Sequence, residues 1–77
     1  MLFKSNNTEI KLIKLDDESE SIFNLRGKLA LKIKTNTDDY NDSDIEKFTK
    51  IWINIKYKGC KYSNKIYNIV KQFSDDI

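Results

Sequence analysis

The chain has 77 residues, with thirteen lysines against one arginine, no histidine, no proline, two glycines, a single cysteine and a net charge of +2. That length makes one domain with a thin core, because a chain this short buries only about 60–65% of the surface its unfolded form exposes. One cysteine excludes an internal disulfide and, without imidazole, a Cys/His zinc site; the missing histidine also removes the commonest general base and every Ser-His or Cys-His nucleophile pair.

The segments 2–5 and 8–15 read as short strands joined by a turn around Ser5-Asn6-Asn7. The second is irregular: Ile10 and Leu12 point one way and Ile13 and Leu15 the other, so it is either buried on both faces or shifted by a bulge. Asp16 to Ser21 is a polar turn. Residues 26–35 alternate most clearly, with Leu29, Leu31 and Ile33 on one side and Lys28, Lys32 and Lys34 on the other, which predicts a half-buried third strand with a basic outer face. Gly27 would allow a bulge or tight bend before it. The helical alternative uses a stripe of Ile22, Leu25, Leu29 and Ile33 and leaves Leu31 outside.

Thr35 to Asp42 is a loop, and Ser43-Asp44-Ile45-Glu46 matches a capping box that opens a helix over 44–58. Ile45, Phe48, Ile51, Trp52 and Ile55 form its apolar stripe, Lys56 and Lys58 complement its negative end, and Gly59 suits the left-handed residue that follows. The competing reading is a further strand over 51–57, in which Trp52, Asn54 and Lys56 would share a solvent face. Ser63 caps a last helix over 64–74, with Ile66, Ile69, Val70 and Phe73 at helical spacing. The fold class is therefore α+β: a small antiparallel β-meander packed against two C-terminal helices.

Little in this chain carries catalytic chemistry. Cys60 lies between Lys58 and Lys61 in a turn, where a small turn residue is the plainer reading than a reactive thiol. The acidic pairs lie in loops of a domain too small to frame a sugar-sized cleft. Residues 38–46 are rich in oxygen ligands but fail the calcium-loop pattern: counted from Asp39, position six is Asp44 and position twelve is Lys50. The two glycines stand too far apart for a phosphate-cradling loop. No cofactor, no metal and no enzymatic activity are expected. Met1 to Asn7 lacks the apolar run of a signal peptide, and no stretch approaches the ~20 apolar residues of a membrane span. With a lone cysteine, this predicts a cytoplasmic, reducing location and no membrane partner.

Charge comes in blocks. Asp16, Asp17, Glu18 and Glu20 are followed by Arg26, Lys28, Lys32 and Lys34, then by Asp38, Asp39, Asp42, Asp44 and Glu46, and then by lysines to Lys71, before Asp75 and Asp76. The first expectation is a non-enzymatic protein-binding module. Its partner would be a larger protein or protein–nucleic acid complex, contacted through Asp38, Asp39, Asp42 and Asp44. Lys, Ile and Asn are what AT-rich codons encode. Short AT-rich reading frames of phages and mobile elements often encode inhibitors of host defence or of nucleic-acid-processing machines, so that is the expected kind of module. The alternative is a small single-stranded nucleic-acid binder using Arg26, Lys28, Lys32, Lys34, Trp52 and Lys56, with the indole as a stacking platform. A homodimer is a third arrangement, should an apolar helix stripe stay uncovered.

Overall fold

The computed structural model describes residues 1–75; the charge read at Asp76 lies outside them. The chain opens with an antiparallel hairpin of β1 (Leu2–Ser5) and β2 (Thr8–Lys11), in the register Phe3 opposite Ile10 and Lys4 opposite Glu9. Asn6 takes the left-handed conformation (φ 54°) that two-residue hairpin loops favour, and asparagine tolerates it better than most side chains. The expected strand over 8–15 is shorter than its apolar content suggested. Pairing continues only through Leu12, whose amide donates to the Met1 carbonyl at 2.9 Å. Ile10 and Leu12 are buried, while Ile13 and Leu15 stand in solvent after the strand has ended, so neither two-face burial nor a bulge is needed.

The expected third strand over 26–35 is a helix, α1 (Glu20–Asn36). Ser19, placed by sequence in a polar turn, is its N-cap: the hydroxyl accepts from the Ile22 amide at 3.2 Å. The buried face carries Phe23, Arg26, Gly27, Leu29, Ala30 and Ile33, a helical stripe with a charge and a glycine in its middle. Gly27 makes no bulge. The Phe3 ring lies over it and fills the space that any Cβ would occupy.

Helix α2 (Asp42–Lys58) confirms the helical reading of this segment against the strand over 51–57. Its cap is Asn41, two residues before the expected Ser43; the Asn41 side chain accepts from the Asp44 amide at 2.8 Å. Asp42 and Asp44 then sit in the first turn, at the positive end of the helix dipole. Gly59 ends the helix at φ 67°, and the Cys60 amide turns back to the Asn54 carbonyl at 3.1 Å. Helix α3 (Asn64–Ser74) occupies the expected span and is capped by Ser63.

The architecture is thus α+β, with two strands and three helices instead of three strands and two helices. α1 is the hub: it packs against both strands and against α2 and α3. Leu12, Leu29, Ile33, Ile45, Trp52 and Phe73 are among the buried side chains that fill the space between them.

Candidate partner-binding surfaces

The short link between α1 and α2 gathers acidic groups at one end of the molecule. Asp38, Asp39 and Asp42 are exposed, and Asp44 is half-buried. Tyr40 anchors this loop by an edge-on contact with Phe48 (centroids 4.9 Å apart), and the Asp39 amide donates to the Thr37 hydroxyl. Asp42 is paired with Lys34 at 3.0 Å; among the described residues Asp38, Asp39 and Asp44 enter no ion pair. The last turn of α3 returns to this end, where Gln72 and Phe73 border an open depression together with Asp39 and Tyr40. The four carboxylates singled out from sequence therefore share one corner.

The basic row does not. On a helix, Lys28 and Lys32 share a face four residues apart, and Lys34 lies on another. Lys34 donates to the Glu9 carbonyl at 2.6 Å as well as to Asp42, which ties it to the hairpin. Arg26 is wholly buried. Its Nε and Nη2 pair side-on with the Glu18 carboxylate, Nη2 to Oε1 at 2.9 Å, and Nη2 also donates to the Ile13 carbonyl. Trp52 belongs to the core at 6% exposure, so the indole is no open platform; Lys56, one turn later, lies 4.9 Å from its ring centroid. A strand face would have put Arg26, Lys28, Lys32 and Lys34 side by side. The helix turns them to three directions and sends Arg26 inward.

Two features were not foreseen. One is Glu18, read as part of a solvated acidic turn but 8% exposed as the partner of Arg26. An arginine in the middle of a helical apolar stripe is the signal that could have found it, because a buried guanidinium demands a carboxylate. Beside this pair lies a cavity of about 150 Å³, lined by Leu15, Ile22, Ile53 and Tyr57 and edged by the Lys58–Asp17 ion pair. Among the described residues Arg26 Nη1 is the one buried side-chain nitrogen or oxygen without a hydrogen bond. The other feature is the α2–α3 side, where Tyr67 is exposed between Lys56 and Lys71.

Cys60 is exposed and free. Among the described residues no three His, Cys, Asp or Glu side chains are placed to hold a metal ion, and no helix is long and apolar enough to cross a membrane. The fold and surfaces define a small α+β domain with a hairpin docked on a three-helix array. Comparison with protein-family models, with characterised proteins and with solved structures finds no match for this chain.

Proposed function

We propose that this protein is a non-enzymatic binding module that docks through its acidic corner onto a basic, nucleic-acid-binding groove of a larger protein. The observation that carries the reading is the convergence of Asp38, Asp39, Asp42 and Asp44, three of which enter no ion pair among the described residues. A fixed cluster of like charge speeds encounter with an oppositely charged site and sets orientation more than it adds affinity. The loop is held by Tyr40 and the Asn41 cap, so its carboxylates are presented with little ordering left to do on binding. Occupying such a groove would block it, which is how a small phage or mobile-element product would inhibit a host defence or nucleic-acid-processing machine.

Binding of single-stranded nucleic acid through Arg26 to Lys34 draws no support, because Arg26 and Trp52 are buried and Lys34 is engaged. The test is affinity capture from the cells in which the protein acts, with and without nuclease. A partner retained after nuclease by the natural chain, lost with Asp38→Lys/Asp39→Lys and displaced by added DNA supports the reading. A partner that the double variant retains refutes it.

A further inference from the structure

From Lys47 to Ser74 the chain carries seven lysines and no carboxylate. Two of them are tied down, Lys50 by Glu46 and Lys58 by Asp17; among the described residues the other five enter no ion pair. Lys56 and Lys71 come to the two sides of a groove of about 190 Å³ between α2 and α3, with Trp52, Ile55 and Val70 beneath and Tyr67 on its rim. Among the described residues their ammonium groups pair with aromatic rings and with no carboxylate: Lys56 is 5.4 Å from the Tyr57 centroid, and Lys71 is 6.0 Å from that of Tyr67. A ring steadies a cation without neutralising its charge. Tyr57 and Tyr67 are 47% and 41% exposed, so both present ring surface to solvent.

We propose that this α2–α3 face binds single-stranded nucleic acid, with phosphates held by Lys56 and Lys71 and a base stacked on Tyr67. Cations that flank exposed rings are the arrangement by which single strands are held without sequence preference. A duplex keeps its base faces stacked and offers only its phosphates to such a surface. An anionic membrane would meet the lysines but would want exposed aliphatic side chains beside them. Here Ile66 and Ile69 are half-buried and Val70 is buried. The inference uses none of the acidic-corner residues, so either reading can fail without the other.

The experiment is fluorescence anisotropy of a labelled thymidine oligonucleotide titrated with the full chain at several salt concentrations. Binding at low salt, with affinity falling linearly in log salt, is expected. Lys56→Gln/Lys71→Gln should reduce that slope by about 1.4, at about 0.7 for each phosphate no longer neutralised. Tyr67→Ala should weaken binding about fivefold or more, and Trp52 emission should change on saturation. Lys11→Gln/Lys28→Gln removes the same charge from exposed positions elsewhere and should leave affinity near the natural value. Circular dichroism confirms that each variant is folded. No binding at low salt overturns the proposal. So does an equal loss in the Lys11/Lys28 variant, equal affinity for a duplex, or anionic vesicles engaging these residues while the oligonucleotide does not.

Discussion

Arg26 and Glu18 form a buried, two-pronged ion pair that joins the centre of α1 to the loop before it. The same carboxylate accepts from the Leu15 amide, and the same guanidinium donates to the Ile13 carbonyl, so one pair fixes the whole 13–18 crossing from hairpin to helix. Glu18→Ala leaves the guanidinium charged and uncompensated, a loss of about 3–5 kcal/mol. A domain of this size has only about 4–12 kcal/mol in total. Chemical denaturation should show a marginal fold in Glu18→Ala and a far smaller loss in Glu18→Leu/Arg26→Met, which removes both charges. A Glu18→Ala midpoint equal to that of the natural chain would mean the pair is unimportant.

Gly27 and Phe3 make the other irreplaceable contact of α1. The Phe3 ring rests on the bare helix backbone at Gly27 and meets Phe23 edge-on at 5.1 Å. Alanine is the better helix former by about 0.8–1.0 kcal/mol, but a methyl group here overlaps the ring, and overpacking costs about 1–3 kcal/mol. Gly27→Ala should therefore lower the melting temperature, whereas Gly27→Ala/Phe3→Leu should recover part of it. A more stable single variant would show that the hairpin moves aside freely.

These two positions explain how much of the molecule was legible. Local signals gave the helix ends at Gly59 and Ser63, the span of α3 and the β1–β2 hairpin, because each depends on residues adjacent in sequence. α1 was misread for the opposite reason. Its buried stripe holds Arg26 and Gly27, which a hydropathy pattern scores as surface and bulge, and their partners Glu18 and Phe3 lie 8 and 24 positions away. With those two discounted, the remaining Leu29, Leu31 and Ile33 alternate against lysines and mimic a strand. The clustering of Asp38, Asp39, Asp42 and Asp44 was legible because they lie close together in sequence. The α2–α3 groove was not, since it needs α3 folded back beside α2.

Gly59 has φ 67° and nothing within 4 Å of where a Cβ would stand, so substitution there tests backbone strain alone. Gly59→Ala should cost about 1–2 kcal/mol and Gly59→Asn less, since asparagine tolerates the left-handed region. The check is the ranking of thermal midpoints, with glycine above asparagine and asparagine above alanine. Equal midpoints for all three would indicate that the turn relaxes.

Asn54 and Tyr62 set how α3 returns along α2. The Asn54 side-chain amide donates to the Tyr62 hydroxyl at 2.9 Å across the link that ends at the Ser63 cap. This bond fixes where α3 begins and hence how the groove lined by Lys56 and Tyr67 is set. Tyr62→Phe removes the acceptor and Asn54→Ala the donor, each with an expected loss of about 0.5–1.5 kcal/mol. The two groups work as one bond, so the double variant should lose less than the sum of the singles, with a coupling of at least about 0.5 kcal/mol. Denaturation of the four chains in this cycle measures it. Strict additivity would place the anchor of α3 elsewhere, in the packing of Val70 and Phe73 alone.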